Sequence, residues 1–144
     1  MSLPTIRKLR RENGGQDAGY VLLPPKNWLE TEEKAESEKI LFFSFKLEGN
    51  GMVLEPVFKN PQTEQPRHSS PEEIEMMMRE GTLLGRLRDL RKGKAVFRVV
   101  KIPRSWVRSE EIQRNRRMVA LRLTPYPKRL IVEPIFGERL HQQQ

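Results

Sequence analysis

The side chains best suited to chemistry are lysines and arginines that crowd one stretch of the second half of the chain. They are Arg86, Arg88, Arg91, Lys92, Lys94, Arg98, Lys101 and Arg104. Ammonium and guanidinium groups bind phosphate oxygens through charge-assisted hydrogen bonds. Residues two apart in a strand share a face, so Arg86 and Arg88 should project together. With Asp89 as the only acid among them, the cluster favours phosphate contacts over a merely solvated basic face, which stays the alternative.

Other chemistries find little support in the residue types. There is no cysteine, which excludes disulfides, thiolate nucleophiles and cysteine-bound metals. His68 and His141 stand in polar surroundings without ligand-like spacing. Glu55 and Glu133 could suggest an acid pair, but with no histidine or cysteine nearby they are predicted to be structural caps at strand ends. We therefore predict neither an enzyme nor a cofactor or metal site.

Composition sets the class of partner and compartment. The chain has 144 residues, with 27 lysines and arginines against 19 acids, a net charge of +8 and a pI near 10.1. This excess makes polyanions the first partners to consider. No apolar run approaches the roughly 18–20 residues that span a bilayer, and the N-terminus lacks the apolar core of a secretory signal. The sequence predicts a soluble, cytoplasmic protein with no membrane partner.

An internal repeat organises the chain: residues of the second half match residues 78 positions earlier, without any gap. The two tryptophans, Trp28 and Trp106, lie in equivalent Pro-x-x-Trp segments and define this offset. Glu-Pro pairs at residues 55–56 and 133–134 keep the same spacing. We assign residues 1–58 to repeat 1 and residues 83–137 to repeat 2. Residues 59–82 form a linker.

Each repeat is predicted to contain four short strands around one short helix. In repeat 1 these are strands at 5–11, 19–23, 39–47 and 52–58 and a helix at 26–36, with turns at Gly14–Gly15 and at 48–51. In repeat 2 they are strands at 83–90, 96–102, 117–123 and 129–136 and a helix at 104–115, with a turn at 92–93 and a last hairpin turn at 125–127. Both tryptophans are predicted to pack in the core rather than stack on bases.

A further helix is predicted in the linker, at about residues 71–80. Ser70 is a good N-cap, Pro71 suits the first helical position, and Glu73 completes a capping box. The helix should end at Gly81 and pack through Ile74, Met77 and Met78, a face more typical of packing than of a ligand groove.

The positive charge belongs to repeat 2. Residues 79–144 hold 17 lysines and arginines against 6 acids, whereas residues 1–58 hold 8 against 9. Repeat 1 keeps a smaller basic set at Arg7, Lys8, Arg10 and Arg11. Its helix is acidic, so that helix is either plain surface or a face for a basic protein partner.

These features resemble the AbrB/MazE/SpoVT swapped-hairpin family, especially its archaeal members. The resemblance lies in Val21–Trp28 and Val99–Trp106, where a branched strand runs into proline, a basic residue and tryptophan, and in the closing Val-Leu-Glu-Pro and Ile-Val-Glu-Pro strands. It covers nearly the whole chain apart from the linker and tail. The sequence departs from the family before the third strand, where Glu38-Lys39 and Arg116-Arg117 replace the usual Gly-Asp.

The resemblance implies a mainly β protein with short helices, a swapped-hairpin AbrB-like β-barrel formed as an intrachain pseudo-dimer. It also implies that the paired first hairpins present basic side chains to DNA. Carried over by position, the DNA-binding candidates are Arg7, Lys8, Arg10, Arg11, Arg86, Arg88, Arg91, Lys92, Lys94 and Arg98.

We therefore predict a duplex-DNA-binding protein that acts as a transcriptional regulator. The first alternative is an antitoxin-like or adaptor module that holds a protein partner through the acidic helix of repeat 1 and the methionine face. RNA binding ranks lower because the basic hairpin lacks interleaved aromatic residues. A homodimer of the pseudo-dimer stays open.

Overall fold

The computed structural model describes residues 3–11, 19–60 and 70–139, and within them the chain forms nine strands and three short helices. The prediction of a mainly β protein with short helices is thereby confirmed. The predicted turn at Gly14–Gly15 lies outside the described residues, as does most of the linker. The strands are β1 (Thr5–Lys8), β2 (Arg10–Arg11), β3 (Tyr20–Leu22), β4 (Phe42–Glu48), β5 (Gly51–Val57), β6 (Leu83–Lys92), β7 (Ala95–Ile102), β8 (Arg116–Tyr126) and β9 (Arg129–Arg139).

Two of the helices occupy equivalent places in the two repeats. Helix α1 spans Lys26–Glu36 and α3 spans Arg104–Arg114, and a proline precedes each of them. Each ends at a residue in the left-handed conformation, Ser37 with φ 55° and Asn115 with φ 52°. Such a residue satisfies the last helical carbonyls and stops the helix.

The linker helix α2 spans Pro71–Glu80, as the sequence predicts. The Ser70 hydroxyl accepts from the backbone N–H of Glu73, and the Glu73 carboxylate accepts in return from the backbone N–H of Ser70. Gly81, with φ 75°, ends the helix. Met78 is buried in the core and Ile74 packs against its edge, so the predicted packing face is confirmed for these two residues.

All strand pairs are antiparallel, in the order β1-β8-β9-β5-β4-β6-β7-β3-β2. The two outermost strands are consecutive in the chain, separated by Leu9 alone, and the backbone N–H of Leu9 donates to the Val119 carbonyl at 3.1 Å. The sheet therefore curls into a nearly closed barrel. Counted as one strand, β1 and β2 make it an eight-stranded barrel.

The two halves of the chain pair their strands in matching registers. Thr5 of β1 lies opposite Leu123 of β8. Leu83 of β6 is the repeat equivalent of Thr5, and Phe45 of β4 is the repeat equivalent of Leu123. These two residues also lie opposite each other. The first strand of each half thus pairs with the third strand of the other half. The second strands pair with each other as β3–β7, and the fourth as β5–β9.

The core fills the barrel interior with aliphatic and aromatic side chains from both halves. Trp28 is 6% exposed and Trp106 is 5% exposed, which confirms the prediction that both pack in the core. The Trp28 ring also stacks on Phe43, with ring centres 5.9 Å apart. Other fully buried members are Leu22, Phe45, Leu54, Val100, Leu121, Leu123, Leu130 and Val132.

The last hairpin differs from the prediction. Strand β8 continues through Pro125 to Tyr126, so the turn consists of Pro127 and Lys128 rather than residues 125–127. Proline usually interrupts a strand because it lacks an N–H. Here β1 pairs with β8 only as far as Leu123, so one side of the strand at Pro125 has no β1 partner and needs no donor.

The prediction that Glu55 and Glu133 cap strand ends is wrong. Glu55 pairs with Ser44 inside the β4–β5 hairpin, and Glu133 pairs with Arg122 well inside β8–β9. Both side chains are exposed. They occupy ordinary outward positions, since period-2 alternation places every second strand residue toward solvent.

Candidate nucleic-acid interface

The β6–β7 hairpin extends beyond the barrel wall. Residues 91–97 are all exposed, so both sides of its tip face solvent. The turn consists of Gly93 and Lys94, and Gly93 has φ 61°. Positive φ at the first turn residue is the sign pattern of type II′, which matches the twist of the flanking strands and favours glycine there. A tight turn therefore carries Lys94 at the far end of a two-stranded arm.

One side of this arm is densely cationic. Paired residues share a face, and Arg88 pairs with Val99, Leu90 with Phe97 and Lys92 with Ala95. Strand alternation adds Arg86 and Lys101 to the same side, and none of these residues is acidic. Strand β3 continues the face, because Val21 pairs with Lys101 on one side and with Arg10 on the other. We call Arg10, Arg86, Arg88, Lys92 and Lys101 the outer cationic face.

A cleft of about 460 Å³ lies at the base of this face. Four cations, Arg86, Arg88, Lys101 and Arg104, are among the described residues that line it, and none of those residues is acidic. The Arg86 guanidinium lies 6.0 Å from the centre of the Phe42 ring, its partner across the β4–β6 pairing. Arg104 is the first residue of α3, where the helix dipole adds partial positive charge. The described lining of the cleft is therefore cationic.

The opposite side of the arm is different, and it contains two of the predicted DNA contacts. Asp89 pairs with Arg98, and Arg91 pairs with Val96. The Arg98 guanidinium donates two hydrogen bonds to the Glu33 carboxylate of α1, at 2.9 and 2.7 Å. The Arg98 side chain is 28% exposed and the Glu33 side chain 10%. Arg98 is therefore a structural ion-pair residue, and we leave it out of the interface.

Glu33 is held from several directions. Besides Arg98, its carboxylate accepts from the backbone N–H of Ile40 at 2.8 Å, and Lys39 lies 3.8 Å away. The hydrogen bonds from Arg98 lower the pKa of Glu33, and the same contact raises the pKa of Arg98. The equivalent Glu111 accepts from the backbone N–H of Met118, also at 2.8 Å. The position equivalent to Arg98 is Tyr20, so the ion pair that joins α1 of the first half to β7 of the second half has no counterpart between α3 and β3.

The basic residues of repeat 1 divide between faces. Lys8 and Arg10 are exposed and two residues apart, at positions equivalent to Arg86 and Arg88. Arg7 lies opposite the buried Leu121, on the other side of β1 from Lys8, although its own side chain is exposed. Arg11 lies in β2, and its side chain is outside the described part of the structure.

The DNA-binding candidates carried over from the family resemblance do not include Lys101 and Arg104, although both belong to the cationic stretch of the sequence. Lys101 alternates with Val99 and Phe97 along β7, which could have placed it beside Arg88. Arg104 adjoins this face because α3 begins directly after β7, an arrangement that the predicted strand at 96–102 and helix at 104–115 already implied.

The acidic helix α1 is only partly a free surface. Glu32 and Glu33 are buried, and the Glu32 carboxylate accepts from the backbone N–H of Lys128 at 3.1 Å. Glu30 and Glu36 are exposed. A protein partner on this helix stays a prediction, and it would meet fewer acids than the sequence suggests.

Comparisons with family models, curated proteins and solved structures find no match. Among the described residues, no helix has both the length and the apolar character needed to span a membrane. Within the same residues, no group of three or more histidine, aspartate and glutamate side chains is placed to hold a metal ion. The geometry of the outer cationic face is therefore the main guide to function.

Proposed function

We propose that this protein binds duplex DNA through the outer cationic face and acts as a transcriptional regulator. The observation that carries the proposal is a face of five cations on a projecting hairpin and on β2, which β3 joins, with no acid among the described residues that form it. Phosphate contacts from lysine and arginine supply most of the affinity of such surfaces. One or two arginines would read base edges in the major groove.

The proposed scaffold is a swapped-hairpin AbrB-like barrel formed as an intrachain pseudo-dimer. Its support is the exchange of first strands between the halves, in which β1 pairs with β8 and β6 pairs with β4 at equivalent positions of the repeat. A half of about 45–50 residues makes a poor core alone. Sharing one barrel lets each half bury its apolar side chains against the other.

Duplex DNA is favoured over RNA by the composition of the face. RNA-binding sheets present several aromatic side chains on which unpaired bases stack. On this hairpin Phe97 is the one aromatic residue, and it is 39% exposed. Cations with aliphatic neighbours suit the regular phosphate array of a duplex.

Fluorescence anisotropy with a labelled duplex, measured over a series of salt concentrations, tests the proposal. If about five phosphates are neutralised, log K should fall against log salt with a slope near −4.5. A structured RNA and a single strand of equal length serve as competitors and should displace the duplex poorly. An affinity independent of salt, or tighter binding of the RNA, would contradict duplex binding through this face.

A further inference from the structure

A second cavity, of about 330 Å³, lies between α2, α3 and the β4–β5 turn, and none of its described lining residues lines the cationic cleft. One wall is formed by a helix of repeat 2, and the other is formed by the helix of the linker. Helix α3 contributes Trp106 and Glu110, and α2, the helix of the linker, contributes Glu72 and Glu75. We call this cavity the α2–α3 groove.

The equivalent place in the first half is closed by the chain itself. The indole N–H of Trp28 donates to the backbone carbonyl of Tyr126 at 2.8 Å. The Glu32 carboxylate accepts from the backbone N–H of Lys128 at 3.1 Å. Helix α1 therefore holds the β8–β9 turn by one main-chain carbonyl and one main-chain N–H two residues later.

The second half has the same two side chains, but the equivalent turn does not bond to them. Trp106 and Glu110 are equivalent to Trp28 and Glu32, and the β4–β5 turn is equivalent to the β8–β9 turn. Yet among the described residues neither the Trp106 indole N–H nor the Glu110 carboxylate has a hydrogen-bond partner. Trp106 is 5% exposed as a residue, but its indole nitrogen is not buried. Partial burial also raises the pKa of Glu110.

The two turns differ in a way that explains the open groove. In β8–β9 the positive φ falls on the second turn residue, Lys128 at 68°, after Pro127. In β4–β5 it falls on the first, Gly49 at 59°. These are the sign patterns of type II and type II′ turns, which are mirror images and orient their central peptide oppositely. Asn50 therefore does not present its N–H to Glu110 as Lys128 does to Glu32.

We propose that the α2–α3 groove binds a proline-containing basic turn from a partner protein. A main-chain carbonyl of that turn would accept from Trp106, and the main-chain N–H two residues later would donate to Glu110. This is the polar pattern that Tyr126 and Lys128 supply to α1 in the first half. The inference does not depend on DNA binding.

The charge of the groove specifies a basic partner. Glu72, Glu75 and Glu110 line it, and Arg79, the one cation among its described lining residues, is paired with Glu75 at 3.1 Å. The occupant of the first half offers a lysine beside its proline, at Pro127-Lys128. A lysine or arginine at that position of the partner would face the carboxylates of α2.

Nuclear magnetic resonance of the full chain labelled with nitrogen-15 tests the proposal, because its two tryptophans give two indole N–H signals. The probe is a cyclic peptide containing residues 124–130 of this chain, closed to hold the turn. The Trp106 signal should shift in a saturable manner, whereas the Trp28 signal, already bonded to Tyr126, should stay in place. If the Trp106 signal does not move at millimolar peptide, or both signals move alike, the proposal is wrong.

Variants on α3 provide the matched control. Glu110→Gln should weaken peptide binding about tenfold, since the acceptor keeps its oxygen but loses the charge that strengthens the hydrogen bond and attracts the basic peptide. Glu111→Gln, the neighbouring carboxylate that already accepts from Met118, should leave it unchanged. A peptide with glutamate in place of both its basic residues should not bind. Equal effects of the two variants on peptide binding would overturn the proposal. Glu110→Gln should bind duplex DNA as the wild type does, so the peptide and DNA measurements test the two proposals separately.

Discussion

Changing both Arg86 and Lys92 to glutamate should lower the affinity for duplex DNA about a hundredfold at low salt, with no loss of fold. Both side chains are exposed on the outer cationic face, and neither contributes to the core. Each substitution removes an attraction to a phosphate and adds a repulsion. The slope of log K against log salt should also become shallower by about 1.8 if both residues contact phosphates.

The matched control for this pair lies on a distant strand. Changing Arg129 and Arg139 to glutamate alters the net charge by the same amount, but β9 is not adjacent to β6 or β7 in the sheet. Both residues are exposed. Anisotropy titrations of the two double variants at one salt concentration show whether the affinity depends on where the charge is changed or only on the net charge. Thermal unfolding checks that both variants are folded. An equal loss in both would show that net charge, rather than this face, governs binding.

The local structure of this chain could be predicted closely where short-range chemistry decides it. Helix α2 begins and ends at the predicted residues, because a capping box and a left-handed glycine act within a few residues. The β8–β9 turn could not be placed as well. A proline in a strand depends on whether a neighbouring strand needs its N–H, and the short reach of β1 decides that at Pro125.

The candidate site was predictable in composition but not in arrangement. Sequence reasoning found the cations of the β6–β7 hairpin, and strand alternation could separate Arg88 from Arg91. It could not place Arg98, whose partner Glu33 is distant in the sequence and lies on the helix of the other half. Helix α1, whose acids look exposed in the sequence, therefore supplies a buried counter-charge to Arg98.

Replacing Glu33 by glutamine should lower the free energy of unfolding by about 2 kcal/mol at neutral pH. The substitution keeps the shape of the side chain and can still accept from the backbone N–H of Ile40. It leaves the half-buried Arg98 guanidinium without its counter-charge. Glu111→Gln is the internal control, because Glu111 makes the equivalent backbone contact without an arginine. This substitution should lower the free energy of unfolding by less than about 1 kcal/mol.

The stabilisation of the folded state by Glu33 should also depend on pH and should weaken in acid. Arg98 lowers the pKa of Glu33 in the folded state. The folded state therefore binds the Glu33 proton less tightly than the unfolded chain, whose glutamate pKa is about 4.3. The contribution of Glu33 is complete above that unfolded pKa and is lost as the pH falls through the lower, folded value. Urea unfolding at neutral pH and at about pH 3 should show the wild type and Glu33→Gln converging in acid. A difference that is unchanged by pH would mean that Glu33 stabilises the barrel by packing, not by its charge on Arg98.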